Sequence, residues 1–243
     1  MSPIPVFWMV FYTIGAFTVF WVFFYQTMRS LDIKIAHHPV RYKNLLFAQR
    51  LLGFLLFGPI AGYLAYMLLP HGWSHWGLLV QQFQLSSIWV IGLLLILIPA
   101  NAFIARTTTN QASYPQVRYQ SWTPTFFLLN SLTWLLYLLG YEFLFRGLLL
   151  FPVIEVIGLW PAIGLNVVLY AMVHAPKGWR EVFGAIPFGI VLCLASYETG
   201  NFWVAFVAHG SQAVVNELFS IRANPGMTFS NTTLSVFQRK VRS

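Results

Sequence analysis

One feature recurs along the whole chain: runs of largely apolar residues close in length to the about 20 that a helix needs to cross the roughly 30 Å of hydrocarbon in a bilayer. Seven such runs can be marked: Val6 to Met28, Leu51 to Leu69, Ser86 to Ile104, Asn130 to Pro152, Trp160 to Ala175, Val182 to Thr199, and Phe202 to Ile221. Charged residues make up 8% of the chain and hydrophobic ones 58%, whereas a soluble domain carries about 25% charge. The expected fold is all-α, a polytopic membrane helix bundle with about seven transmembrane helices. No hydrophilic stretch is large enough for a soluble core, so three regions share one membrane domain: a three-helix part over 1–122, a core bearing the polar motifs over 123–221, and a basic tail over 222–243.

The net charge of +8 does not point to nucleic acid, because thirteen of the fourteen Lys and Arg lie in alternate connections between apolar runs. They are Arg29, Lys34, Arg41, Lys43 and Arg50, then Arg106 and Arg118, then Lys177 and Arg180, and finally Arg222, Arg239, Lys240 and Arg242. The positive-inside rule makes these regions cytoplasmic, with the N-terminus outside and the C-terminus cytoplasmic, as an odd number of crossings requires. The reading is of an integral protein of the plasma (inner) membrane, in contact with membrane lipids. Met-Ser-Pro-Ile-Pro lacks the basic start of a signal peptide, so the first run reads as a retained helix. That run is half aromatic, which suits a peripheral, lipid-facing position. The single cysteine, Cys193, allows no intrachain disulfide and reads as a buried small hydrophobe. His71 and His75 read as an interfacial loop, the sequon at Asn231 falls in the cytoplasmic tail, Glu155, Glu198 and Glu217 sit near span ends where water is available, and Ala185 with Gly189 makes a small-residue packing face.

The fourteenth basic residue, Arg146, sits inside a span, and so do Glu142, His174 and His209. Ionisable groups in lipid are costly and by default mark a functional site. At 1.5 Å per residue, Glu142 lies about 15 Å below the outer end of its span, His174 about 20 Å in from Trp160, and His209 about 10 Å in from Phe202. All three can then converge near mid-membrane, whereas a fourth span running from Thr123 and ending before Arg146 would put Glu142 at the outer interface. Simpler roles are open to each: Glu142 and Arg146 have the i,i+4 spacing of a helical ion pair, His174 stands at a helix end, and His209 beside Gly210 and Ser211 suits a helix-to-helix hydrogen bond.

Three strings in order, Glu142-Phe-Leu-Phe-Arg146, Tyr170-Ala-Met-Val-His174 and the later His209, resemble the CAAX-processing and bacteriocin-processing intramembrane endopeptidases, the CPBP or Abi family. The resemblance covers about Thr123 to Ile221. It departs from the family pattern at Tyr141, which stands at the first of two glutamates, and at Ala213, which stands at an asparagine; Tyr170 replaces a phenylalanine. The resemblance implies hydrolysis of a peptide bond near the end of a membrane-associated, prenylated or other lipidated peptide. In that chemistry Glu142 is the base that activates water, His174 positions the water, His209 donates to the oxyanion, and Arg146 belongs to the same catalytic group. Gln212, Tyr141 and Tyr170 are candidates for substrate or oxyanion contacts. No cofactor is expected, although Glu142, His174 and His209 would also make a catalytic zinc set. Tyr141 and Ala213 equally fit a catalytically inactive relative that binds a membrane protein or peptide, and a transporter or assembly subunit is a third reading.

Overall fold

The computed structural model describes residues 3–35, 39–69, 76–175 and 178–230. His37, His38, His71, His75, Lys177, Asn231 and the tail residues Arg239, Lys240 and Arg242 lie outside the described residues. The chain forms α1 (Pro3–Ile35), α2 (Pro39–Leu55), α3 (Ala61–Leu68), α4 (Phe83–Ile104), α5 (Thr108–Ser113), α6 (Pro124–Glu142), α7 (Phe151–Ile157), α8 (Leu159–Met172), α9 (Trp179–Thr199) and α10 (Trp203–Ala223). A π-helical turn, Leu56–Ile60, joins α2 to α3, and a longer π-helical segment, Phe143–Leu150, joins α6 to α7. Two short strands, β1 (Ser121–Trp122) and β2 (Thr228–Phe229), pair in parallel with Ser121 opposite Thr228. Everything else of regular structure is helix, as expected.

Among the described residues, five helices are long and apolar enough to cross a membrane: Val6–Phe23, Val40–Leu68, Phe83–Ile104, Pro124–Ile157 and Trp179–Thr199. The chain is an integral membrane protein built as a helix bundle. Of the seven expected spans, the fifth corresponds to the shorter helix Leu159–Met172, and the seventh to α10, which interrupts its apolar surface with His209, Gln212, Asn216 and Glu217. The fourth span is longer than expected. Thr123 caps its start by accepting a hydrogen bond from the Phe126 N–H at 3.1 Å, with Pro124 in the first turn where no donor is lost. From there the helix continues unbroken through the π-helical segment to Ile157.

The core is strongly aromatic. Phe17 of α1 stacks on Phe57 at 4.2 Å between ring centres and meets Tyr141 edge-on at 5.7 Å. The first helix is thus peripheral on one face, where Phe7, Trp8 and Phe11 are exposed, while Phe17 and Phe20 are buried on the other. Close approach between the second and fourth spans depends on Gly140: a β-carbon there would lie 3.0 Å from the Phe54 carbonyl oxygen and 3.1 Å from the Gly58 nitrogen. α10 packs against α4 and α6, and α8 against α9.

Two residues differ from the sequence reading. Arg50, expected in a basic connection, is 4% exposed inside α2. It can sit there because its guanidinium finds acceptors in the Asn130 carbonyl and Asn130 Oδ1, both at 3.0 Å, and in Thr133 Oγ1 and Gln116 Oε1, both at 2.9 Å, while resting on the Trp134 ring at 4.4 Å. Glu217, expected near water at a span end, is 1% exposed and accepts from Asn130 Nδ2 at 3.2 Å. The connections bearing Arg106, Arg118, Arg180 and Arg222 do gather at one end of the bundle, where Arg180 donates to Thr109 Oγ1 at 2.8 Å and Asn110 donates to Ser220 Oγ at 2.7 Å.

Candidate active site

Glu142 closes α6 at the point where the helix loosens into the π-helical segment. It is close to the midpoint of the 34-residue span, and it is fully buried. Widening the turns to i→i+5 closure re-aims side chains relative to an ordinary helix and frees backbone groups from their usual partners. Asn166 of α8 takes up one such group, donating from Nδ2 to the Phe145 carbonyl at 2.7 Å, while its Oδ1 accepts from the Cys193 thiol at 3.3 Å. Cys193 is therefore more than a filler hydrophobe, since it completes a buried link between α8, α9 and the π-helical segment.

Both oxygens of Glu142 face a partner. Oε1 lies 2.5 Å from Nδ1 of His209 on α10, and Oε2 lies 3.0 Å from Nη1 of Arg146. The second contact is an ion pair without hydrogen-bond geometry, so none of the three Arg146 guanidinium nitrogens makes a hydrogen bond among the described residues. Arg146 is itself fully buried, and its guanidinium carbon lies 4.3 Å from the centre of the Tyr170 ring, a cation-over-ring contact. Of this group only His209 reaches outward, with 15% of its side chain exposed.

His174 joins through Tyr170. Its Nδ1 lies 2.7 Å from the Tyr170 carbonyl oxygen, which puts the proton on Nδ1 and makes Nε2 the acceptor nitrogen. The His174 ring packs on the Tyr170 ring at 4.8 Å, and the other side of Tyr170 approaches His209 at 6.2 Å. Gly189 of α9 makes room for this arrangement, because a β-carbon there would come within 3.0 Å of Tyr170 Cδ1. Ala185 and Gly189 thus form the small-residue face that the sequence suggested. Tyr141 is buried at 2% exposure, 5.8 Å from the His209 ring, and its hydroxyl has no hydrogen-bond partner among the described residues. Gln212 lies one turn beyond His209, with Oε1 buried and likewise unpartnered.

Five of the expected residues, Glu142, Arg146, His209, Tyr141 and Tyr170, therefore meet in one cluster, and His174 borders it. Among the described residues no group of three or more His, Cys, Asp and Glu is arranged to hold a metal ion. The turn carrying Glu142 also supplies Leu139, Gly140 and Phe143 to the wall of an apolar cavity of about 570 Å³, which Pro59, Tyr63 and Trp203 line as well. Asn166 is a functional residue that the sequence reading missed, and its one signal is an amide in the middle of an apolar run.

No curated protein and no solved structure matches the chain. Residues 121–215, the stretch that holds Glu142, Arg146, His174 and His209, match the family model described as type II CAAX prenyl endopeptidase Rce1-like, and over that stretch the chain is similar to the family whose motif order it resembles.

Proposed function

We propose that this protein is an intramembrane endopeptidase of the CAAX-processing class, cleaving near the end of a membrane-associated, prenylated peptide. The observation that carries the reading is the contact between Glu142 and His209, at 2.5 Å, linking two helices at mid-membrane depth. A carboxylate behind an imidazole fixes its tautomer and steadies the imidazolium that forms when the ring takes a proton. Because Glu142 is fully buried and His209 is partly exposed, we assign the water-facing role to His209 and the role of supporting charge to Glu142.

With Nδ1 donating to the carboxylate, His209 Nε2 removes a proton from water as the water oxygen bonds to the peptide carbonyl carbon. The imidazolium then returns that proton to the amine as the carbon–nitrogen bond breaks. His174, an acceptor at Nε2, holds the water. The side-chain amide of Gln212 and the hydroxyl of Tyr141 donate to the oxyanion, each worth roughly 3 kcal/mol when well placed. Arg146 supplies the counter-charge of Glu142 in its apolar surroundings. The apolar cavity lined by Leu139, Gly140 and Phe143 accommodates the hydrocarbon part of the substrate. The same reading needs no cofactor, and the gathered basic end of the bundle supports an orientation with that end cytoplasmic.

Purified protein incubated with a fluorogenic prenylated CAAX peptide tests this. Wild type should turn over, and Glu142→Gln and His209→Ala should each lose about 10²–10⁴-fold in kcat, as expected when general base catalysis is removed. Turnover by Glu142→Gln at the wild-type rate would refute the assignment. One observation favours a second reading, an inactive relative that binds peptide: Tyr141 brings an aromatic ring rather than a carboxylate to its position. Peptide binding by wild type without cleavage would select it.

A further inference from the structure

The cluster of Arg50, Asn130 and Glu217 plays no part in the chemistry above, yet it places two charged side chains in the interior at 4% and 1% exposure. Buried ionic groups are poor stabilisers, since well-packed apolar residues of similar size do as well or better, and their best-attested use is to fix register. Here the geometry suits that use. Asn130 and Glu142 both belong to α6, and Glu217 and His209 both belong to α10. The two antiparallel helices are therefore joined by two polar rungs, Asn130 to Glu217 at 3.2 Å and Glu142 to His209 at 2.5 Å. The rungs are separated by about 18 Å along α6 and about 12 Å along α10. Arg50 fastens the first rung to α2 and, through Gln116, to the connection preceding α6.

A slip of one residue moves a helix about 1.5 Å along its axis and turns each side chain by about 100°. Either displacement is enough to separate an imidazole nitrogen from a carboxylate oxygen. Between the rungs, α6 and α10 also approach through apolar, non-directional contact: a β-carbon on Gly210 would lie 2.7 Å from Leu135 Cδ2. Such a surface sets separation better than it sets register.

We propose that Glu217, Asn130 and Arg50 are positioning residues: they hold α6 and α10 in the one register that brings Glu142 to His209. The inference rests on the proposed endopeptidase only for its kinetic consequence, because the register itself is a matter of geometry.

The experiment measures geometry and rate together. Spin labels at Leu136→Cys on α6 and Val207→Cys on α10, both lipid-exposed positions, report the separation of the two helices near the site, while the native Cys193 is fully buried. Glu217→Leu should displace or broaden the distance distribution, lower kcat at least 10-fold and leave KM within about 3-fold. Glu217→Gln keeps an acceptor for Asn130 and should restore both measurements. Leu46→Ala, a core truncation at the same end of the bundle, should lower thermal stability without moving the distance. Should Glu217→Leu fail to fold, Arg50→Leu with Asn130→Leu and Glu217→Leu removes the whole cluster and leaves no member of it stranded. An unchanged distance distribution in that variant or in Glu217→Leu overturns the inference, whatever the rates. If the distance moves but wild type cleaves no peptide, the positioning role stands and the endopeptidase reading falls. If wild type is active and the distance holds, the reverse is true.

Discussion

Replacing Glu142 by leucine removes the one charge that compensates Arg146. The guanidinium is fully buried, makes no hydrogen bond among the described residues, and has as its other favourable electrostatic neighbours the Phe145 ring at 5.6 Å and, closer, the Tyr170 ring at 4.3 Å. Such a ring contact is worth up to about 2 kcal/mol in a dry setting, but both are present before and after the change and cancel. The cost of Glu142→Leu should therefore approach that of stranding a buried charge, about 3–5 kcal/mol. Arg146→Leu should cost less, about 1–3 kcal/mol, because Glu142 retains its hydrogen bond with His209 Nδ1. The double variant leaves only His209 without its carboxylate, and that ring is partly exposed. It should be more stable than Glu142→Leu alone by several kcal/mol, although all three variants lose turnover. Reversible unfolding in mixed detergent micelles, followed by steric trapping or by circular dichroism, measures the cycle. If Glu142→Leu costs less than about 1 kcal/mol, or if adding Arg146→Leu fails to recover stability, the carboxylate is not the counter-charge of Arg146 and the electrostatic basis of the site is wrong.

Gly140→Ala should lower stability by about 1–3 kcal/mol, because the new methyl group meets the backbone of Phe54 and Gly58; Gly92→Ala, with nothing within 4 Å, should be neutral or stabilising by up to about 1 kcal/mol, and thermal unfolding compares the two. Asn166→Leu should cost about 1–3 kcal/mol by removing the amide that donates to the Phe145 carbonyl, and should also quicken alkylation of Cys193 in native protein. Tyr141→Phe should leave stability unchanged or slightly raised, since its hydroxyl has no partner to lose, while kcat falls about 10-fold or more if that hydroxyl serves the oxyanion; equal kcat for Tyr141→Phe and wild type removes it from the mechanism.

The helices were legible because lipid leaves so little choice: an apolar run of bilayer length has one common solution, and the runs at Phe83–Ile104 and Trp179–Thr199 appear within a few residues of their expected bounds. The meeting of Glu142 with His209 was legible for the related reason that an isolated charge in hydrocarbon must find a partner. Arg50 was not, because a cation at the start of an apolar run reads as a loop residue unless its acceptors are known, and those acceptors come from residues 116, 130 and 133. Glu217 was hidden in the same way behind Asn130. The π-helical segment was not legible either, since Phe-Leu-Phe-Arg-Gly-Leu-Leu-Leu carries no periodic mark that separates it from ordinary helix.

The eight residues from Phe143 to Leu150 wind more loosely than the helices on either side. Each widened turn takes one residue more than an ordinary hydrogen-bonded ring requires. Loss of a single residue there would let the span rewind as continuous α-helix while its two ends kept their seats, and Arg146 would swing away from its carboxylate. Changes in chain length by one, rather than exchanges of side chain, are thus the simplest hereditary route by which this arrangement is acquired or discarded, and a comparison of related chains should look for gaps in that stretch before it looks for altered letters.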